Sequence, residues 1–131
     1  MPVVDASVVA AWFISTDAAH VQSTAWIRGQ IEAGAEFHSP AVVLPEVAHA
    51  VQSRGDDAAT AIAILGNMVG FRVVDVSVGL AMRAARIAAT ERIRGCDAIY
   101  VALAERLGTE LVTLDRQQRE RGAAVVPTRQ P

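Results

Sequence analysis

Four acidic residues occupy positions where a carboxylate needs an explanation. Asp5 separates two of the most apolar segments of the chain, Glu46 lies within SPAVVLPEVAHAV, Asp97 lies within GCDAIYVALAERLG, and Asp115 follows ELVTL. Taken singly, each carboxylate is well explained as a helix cap, a turn residue or a surface residue. Together they would repel, since two carboxylates ~4 Å apart cost about 4 kcal/mol at an effective dielectric of ~20. The four acids must therefore bind a cation, take up protons, or not form a cluster at all.

The chemistry of such a cluster is that of a hard divalent cation. Carboxylate oxygens with no suitable His or Cys beside them favour Mg²⁺ or Mn²⁺ over zinc. A bound ion of this type activates water and stabilises charge on a phosphate and its leaving oxygen. We predict that Asp5 and Asp97 bind the metal directly. Glu46 and Asp115 are predicted to bind it directly, through water, or at a second site.

Two further side chains that could be reactive, His49 and Cys96, are predicted to be structural. Glu46 and His49 form a Glu-x-x-His pair, a spacing used by di-iron carboxylate bundles, but those sites need two such pairs and the chain has one. His49 is therefore expected at the rim of the pocket. Cys96 has no evident base beside it, so we expect a small buried packing residue rather than a nucleophile.

Short Val-rich segments alternate with helical ones along the chain, which favours a parallel sheet covered on both faces. Sites in such sheets form beyond the carboxyl ends of the strands, where Asp5 and Asp115 fall. The predicted strands are Pro2–Val4, Glu36–Ser39, Phe71–Val76, Glu110–Leu114 and a last one at Ala124–Val126. The predicted helices are Ser7–Ile14, Ala18–Ala33, Pro40–Ser53, one from Asp56 or Asp57 to Met68, one capped by Ser77 and ending near Thr90, and one from Asp97 to Gly108.

The size and composition favour one domain spanning residues 1–131. The chain has 131 residues, of which 52% are hydrophobic, enough for a single core. No apolar run approaches the ~20 residues that cross a bilayer, and no basic leader precedes the first apolar segment. A single cysteine excludes an internal disulfide. We expect a soluble, cytoplasmic protein that does not bind a membrane.

The positive charge is carried by arginine alone, which matters for binding phosphate. The net charge is -2, all 12 basic residues are arginine, and most lie in the second half of the chain. Arginine binds phosphate through a fork of donors. Aromatic side chains for base stacking are few, so we predict no sequence-specific readout. The arginines predicted to hold substrate phosphates beside the acids are Arg92, Arg94, Arg116 and Arg119.

Four motifs in order, VVDASV, SPAVVLPEVAHAV, GCDAIYVALAERLG and ELVTLD, together resemble the PIN-domain ribonucleases. The similarity is greatest to VapC-type toxins of toxin–antitoxin pairs, and it spans about residues 2–126. It implies a PIN-like three-layer α/β/α sandwich with a mostly parallel sheet of about five strands. The family's acidic quartet falls on Asp5, Glu46, Asp97 and Asp115, and its small hydroxyl residues on Ser7 and Thr113.

The same resemblance implies a function. It predicts Mg²⁺- or Mn²⁺-dependent hydrolysis of RNA to 5′-phosphate and 3′-hydroxyl ends, inhibition by a VapB-like antitoxin, and a homodimer. An inactive PIN-like module that binds RNA or protein remains open as the alternative. Two other acid-clustering folds are excluded by single residues. Receiver domains need a lysine, and the chain has none; haloacid-dehalogenase phosphatases need an aspartate at the position of Ser7.

Overall fold

A parallel five-stranded sheet runs through the centre of the protein, as the computed structural model of residues 1–131 describes it. The strand order is β3-β2-β1-β4-β5, and every neighbouring pair is parallel. This confirms the predicted sheet. The strands are β1 (Val3–Val4), β2 (Phe37–Pro40), β3 (Phe71–Val74), β4 (Leu111–Val112) and β5 (Thr128–Arg129).

Seven helices connect the strands and form a layer on each face of the sheet. The chain moves outward from β1 through β2 to β3, crosses back to β4, and then reaches β5 on the other edge. Right-handed crossovers therefore place the first four helices on one face and the last three on the other. The helices are α1 (Ala6–Phe13), α2 (His20–Glu32), α3 (Val43–Ser53), α4 (Ala58–Asn67), α5 (Val78–Glu91), α6 (Gly95–Leu107) and α7 (Arg116–Gly122).

Packing between the helices agrees with this assignment and confirms the three-layer α/β/α sandwich. Helix α1 packs on α2 and α3, and α3 packs on α4, whereas α6 packs on α5, α7 and the central strands. The central strand β1 is fully buried at Val3 and Val4. Helix α6 buries every residue from Tyr100 to Ala104, which makes it the main covering helix on its side. None of the helices has the length and apolarity needed to cross a bilayer.

Several boundaries differ from those predicted. Strand β2 extends to Pro40, and α3 begins only at Val43, because the backbone amide of Ala41 still bonds to the carbonyl of Val74 in the neighbouring strand. Pro45 then falls in the first turn of α3, where its missing N–H is tolerated. Helix α6 begins at Gly95, so Asp97 lies within its first turn rather than before it.

The C-terminal region differs most. Residues 116–122 form α7, a helix the sequence analysis did not predict. The last strand is Thr128–Arg129 rather than Ala124–Val126, because the amides of Val125 and Val126 bond back to the carbonyl of Gly122 at the end of α7. Only after this turn does the chain pair with β4, as strand β5. Cys96 is exposed rather than buried, because it lies in the first turn of α6 outside the packed face.

Candidate active site

Asp5 lies where β1 ends and α1 begins, and it caps that helix. Its backbone is extended, and its Oδ2 accepts a hydrogen bond from the amide of Ser7 at 3.0 Å. Its Oδ1 accepts one from the side-chain amide of Gln118 at 3.2 Å. The residue is only 5% exposed. A capping carboxylate can therefore also be a functional one, since each oxygen keeps a lone pair free.

Glu46 reaches the same region from the first turn of α3, on the opposite side of β1 from α7. Its Oε1 accepts a hydrogen bond of 2.9 Å from the hydroxyl of Tyr100, a fully buried residue of α6. Burial raises the pKa of the Glu46 carboxyl, the hydrogen bond from Tyr100 opposes this rise, and the carboxylates of Asp5 and Asp97 add to it. The charged form of Glu46 is thus disfavoured by its surroundings.

Asp97 lies in the first turn of α6 and is partly neutralised by an arginine. The Nε of Arg94 donates to its Oδ2 at 3.0 Å. Burial nevertheless raises the pKa of Asp97, the hydrogen bond from Arg94 lowers it, and repulsion from Asp5 and Asp115 raises it further. Tyr100 feels the same negative field: burial first, and then the charges of Asp5 and Glu46, raise its pKa well above the usual range.

Asp115 follows β4 and caps α7. Its Oδ1 accepts a hydrogen bond from the amide of Gln118 at 2.9 Å, and its Oδ2 lies 3.6 Å from the Nη2 of Arg94. The backbone amide of Asp115 in turn donates to the hydroxyl of Thr113 at 3.0 Å. Asp115 therefore caps α7 as Asp5 caps α1, although it lies three residues after β4 while Asp5 directly follows β1.

All four carboxylates line one pocket of about 200 Å³ together with Arg94 and Ser7. A larger groove of about 690 Å³ adjoins it and shares four of its residues. His49 lines the groove rather than the pocket, one turn of α3 beyond Glu46. The residues shared by the pocket and the groove are Ser7, Ala10, Ala50 and Asp115.

The donor set of the pocket fits a hard divalent cation, with one qualification from the geometry. Its ligating groups are carboxylates, the set that Mg²⁺ and Mn²⁺ prefer. In the present arrangement no three of the acidic, His or Cys side chains are gathered into a ligand group. Arg94 instead supplies the compensating charge between Asp97 and Asp115. A metal ion would therefore have to displace or adjust this guanidinium.

The four predicted phosphate-binding arginines differ in their distance from the pocket and in their partners. Only Arg94 lies in the pocket, and it pairs with acids rather than standing free. Arg92 is exposed at the end of α5, where its carbonyl accepts a hydrogen bond from Arg121. Arg116 pairs with Glu120 at 2.7 Å on the surface of α7. Arg119 donates to the carbonyl of Thr113, two residues before Asp115, at 3.5 Å.

Two polar residues of the site were missed by sequence analysis. Tyr100 sits in the apolar run DAIYVALA, where a lone hydroxyl on the buried face of a helix gave a weak signal. Gln118 lies in RQQRERG, where nothing distinguishes it from the exposed Gln117 beside it. Only the fold reveals that Gln118 is buried at 2% exposure.

Comparison with known proteins identifies the family and the fold of the chain. The model of the PIN domain family matches residues 3–124. No curated protein sequence matches the chain. Among solved structures, Mycobacterium tuberculosis VapC20, described as a toxin that cleaves the sarcin–ricin loop, superposes with a TM-score of 0.81 at 22% identity, with 100% of both chains covered.

Two other structures are similar at lower identity. FitAcB from Neisseria gonorrhoeae superposes with a TM-score of 0.73 at 16% identity, covering 98% of this chain and 96% of its own. FitAB bound to an IR36 DNA fragment gives a TM-score of 0.72 at 14% identity, covering 100% and 95%. At these identities the similarity shows a shared fold.

Proposed function

Because the chain belongs to the PIN domain family, we propose that it is a divalent-metal-dependent endoribonuclease and the toxin of a toxin–antitoxin pair. The observation that supports this most strongly is the convergence of four carboxylates in one pocket. They come from four separate elements, at the ends of β1 and β4 and in the first turns of α3 and α6. Nothing in helix capping alone requires Glu46 and Asp97 to meet the other two.

The four acids fall into two proposed roles. Asp5 and Asp97 bind Mg²⁺ or Mn²⁺ directly, while Glu46 and Asp115 bind it directly or through water. The bound ion would supply an activated water and stabilise charge on the scissile phosphate. Asp5 is held by bonds to both of its oxygens, so it presents its free lone pairs in a fixed direction. Ser7 and Thr113 hold the segment between β4 and Asp115 through their hydroxyls.

The proposed substrate approaches an acidic pocket, so positive charge must surround it. We assign this role to the arginines near the pocket rather than inside it, because a phosphate contact needs a side chain that can leave its surface partner. Exposed ion pairs are weak because water and salt screen them, so Arg116 can exchange Glu120 for a phosphate. Arg92 and Arg119 are further candidates, because Arg121 of α7 bonds to the carbonyl of Arg92 and Arg119 belongs to the same helix.

The test of this function is hydrolysis of a structured RNA by the purified chain. We expect cleavage with Mg²⁺ or Mn²⁺, products carrying 5′-phosphate and 3′-hydroxyl ends, and complete loss of cleavage with EDTA. Restoration by excess Mn²⁺ distinguishes chelation from damage to the protein. Cleavage that persists in EDTA, or products with 2′,3′-cyclic phosphate ends, would rule out the proposed reaction.

The proposed function also includes two protein partners, an antitoxin and a second copy of the chain. We propose a VapB-like antitoxin that blocks the acidic pocket, and a homodimer of the toxin. In support, the similar structures are a toxin, VapC20, and the FitAB assembly, which was solved on DNA. Sedimentation of the purified chain at micromolar concentration should give the mass of two chains. A small open reading frame beside the gene should encode a protein that copurifies with it and suppresses cleavage.

An inactive binding module is the second candidate, and one observation favours it. Arg94 already neutralises part of the acidic cluster, and no ligand group for a metal is assembled around it. Such a module would bind RNA with an affinity that is insensitive to Mn²⁺ and would leave the RNA intact. The cleavage assay above separates the two functions.

Replacing Arg94 should strengthen metal binding. The side chain of Arg94 is 75% exposed and pairs with Asp97 and Asp115, so it competes with a cation for both carboxylates. We expect Arg94→Gln to bind Mn²⁺ about fivefold more tightly at low ionic strength, the scale of a ~1 kcal/mol exposed pair. Calorimetric titration measures this directly. Arg86→Gln, an exposed arginine of α5 outside the pocket, should leave the affinity unchanged. Weaker binding by Arg94→Gln would show that Arg94 supports the site.

A further inference from the structure

Gln118 contacts three of the four acidic residues of the pocket. Its side-chain amide donates to Oδ1 of Asp5 at 3.2 Å and to the backbone carbonyl of Asp97 at 3.1 Å. Its main-chain amide donates to Oδ1 of Asp115 at 2.9 Å. No other residue in the structure forms hydrogen bonds with all three. Because Gln118 is 2% exposed, water cannot easily replace these bonds.

The orientation of the Gln118 amide is fixed by its partners. A carboxylate and a carbonyl only accept hydrogen bonds, so the side-chain nitrogen must face Asp5 and Asp97. The side-chain oxygen then faces the hydroxyl of Thr113, which donates to it at 2.6 Å. The Thr113 oxygen accepts from the amide of Asp115 at 3.0 Å and lies 3.5 Å from the Ser7 hydroxyl.

These bonds form a relay that ends on Asp5. Thr113 donates to Gln118, and Gln118 donates to the carboxylate, so the dipoles along the relay are aligned toward the negative charge. Aligned hydrogen bonds of this kind polarise one another in a buried setting. The relay also spans three elements, since Thr113 follows β4, Gln118 belongs to α7 and Asp5 follows β1.

We propose that Gln118 is a positioning residue that sets the orientation of the Asp5 carboxylate and its distance from Asp97 for binding the divalent ion; this deepens the function proposed above and rests on it. The neutral amide suits the position. It supplies a donor to Asp5 without a positive charge that would repel the ion, and without a negative charge that would add to the repulsion in the pocket. Partners that orient metal ligands in this way typically change metal affinity by about 10- to 100-fold.

The test is calorimetric titration of Mn²⁺ into the wild-type chain and into Gln118→Leu, which fills the same space without a donor. We expect Gln118→Leu to bind Mn²⁺ about 10- to 100-fold more weakly. The matched control is Gln117→Leu, which changes the exposed neighbour on the same helix and should bind as the wild type does. Thermal unfolding without metal reports any loss of structure separately.

A double-mutant cycle distinguishes positioning from a general loss of structure. Thr113→Val removes the hydroxyl that orients the amide, and we expect a smaller loss of Mn²⁺ affinity from it. In the Gln118→Leu background the same change should cost less affinity than it does in the wild type, because the relay is already broken and only the bond from the Asp115 amide remains to be lost. Losses that are fully additive would overturn the proposal. The cycle can be completed with Gln118→Met if Gln118→Leu does not fold.

The outcomes separate this inference from the proposed function. Equal Mn²⁺ binding by the wild type and Gln118→Leu would overturn the positioning role and leave the ribonuclease assignment standing. Absence of Mn²⁺ binding by the wild-type chain would overturn both. A Gln118→Leu variant that unfolds at a lower temperature but binds Mn²⁺ normally would show that the glutamine serves the fold alone.

Discussion

Asp5→Asn is expected to reduce the rate of RNA cleavage by about a thousandfold or more. The variant removes one proposed metal ligand and one negative charge, and metal stabilisation of a phosphoryl transition state amounts to several kcal/mol. A loss of about 4 kcal/mol corresponds to a factor of about 10³ in rate. Initial rates at saturating Mn²⁺, with the folded state checked by circular dichroism, measure the effect.

The structure makes asparagine the appropriate replacement. Asparagine is about as good a helix N-cap as aspartate, so it can still accept the hydrogen bond that the amide of Ser7 gives to Asp5. The side-chain nitrogen of the asparagine cannot accept the second bond, from Gln118, so some stability is lost while the helix cap remains. The effect on the rate can then be attributed to the metal site rather than to loss of α1.

Asp57→Asn is the matched control. Asp57 caps α4 as Asp5 caps α1, and it accepts hydrogen bonds from the amides of Ala59 and Thr60. It is exposed and lies outside the pocket. Full activity in Asp57→Asn beside inactivity in Asp5→Asn would separate capping from catalysis. Equal cleavage by the wild type and Asp5→Asn would indicate a contaminating nuclease and remove the support for a catalytic pocket.

The parts of the fold that were predictable are those fixed by hydrophobic pattern and helix caps. Strands β1 and β4 are short buried runs of Val and Leu, and Asp57 and Ser77 cap their helices as predicted. Gly108 ends α6 in the left-handed conformation at φ 63°, as a glycine after a helix commonly does. The acids at the ends of β1 and β4 follow from the sheet, because parallel strands bring their carboxyl ends to one edge.

Helix α7 was not predictable, because it has almost no apolar face. Its sequence, RQQRERG, buries only Gln118 and Gly122, whereas sequence analysis recognises a helix by a stripe of apolar residues. It forms because Asp115 caps it, because Arg116 pairs with Glu120 one turn later, and because Gly122 lets it approach α6. A Cβ at Gly122 would lie 3.3 Å from Val101.

The role of Arg94 as a counter-ion of the acidic cluster could not be predicted from the sequence either. The arginine precedes Asp97 by three residues, and that spacing alone does not distinguish a phosphate-binding side chain from an internal counter-ion. The extended backbone of Arg94 before α6 directs the guanidinium to both Asp97 and Asp115. The distinction depends on where α7 places Asp115, and so on the helix that was missed.

The clustering of acids implies that the charged carboxylates lower the folding stability of the metal-free protein. Glu46 carries a pKa raised mainly by burial, with the carboxylates of Asp5 and Asp97 contributing. For an acid whose pKa is higher in the folded than in the unfolded state, the folded state binds the proton more tightly. Ionising Glu46 therefore destabilises the fold at neutral pH. This penalty shrinks as the pH falls below the pKa of the folded state and vanishes below the pKa of the unfolded state.

Glu46→Gln should for this reason raise the melting temperature while reducing cleavage by about 100-fold or more, through loss of a charge from the metal site. The glutamine oxygen can still accept the hydrogen bond from Tyr100, so only the charge is removed. Without metal at pH 7.5, we expect an increase of about 2–4 °C. The increase should shrink toward zero as the pH falls through the raised pKa of Glu46. Thermal unfolding between pH 4.5 and 8 measures this, with Glu32→Gln as the exposed control.

Metal should reverse the order of stability. Mn²⁺ at 100 times its dissociation constant stabilises the protein that binds it by about 2.7 kcal/mol, and the wild-type chain should bind it more tightly than Glu46→Gln. The wild type should then melt at the higher temperature in Mn²⁺ and at the lower one in EDTA. This reversal of the melting temperatures is expected only if the charge of Glu46 destabilises the fold without metal and stabilises it when a cation is bound. A Glu46→Gln variant less stable than the wild type in EDTA would instead show that Glu46 is a structural acid whose bond to Tyr100 outweighs the repulsion.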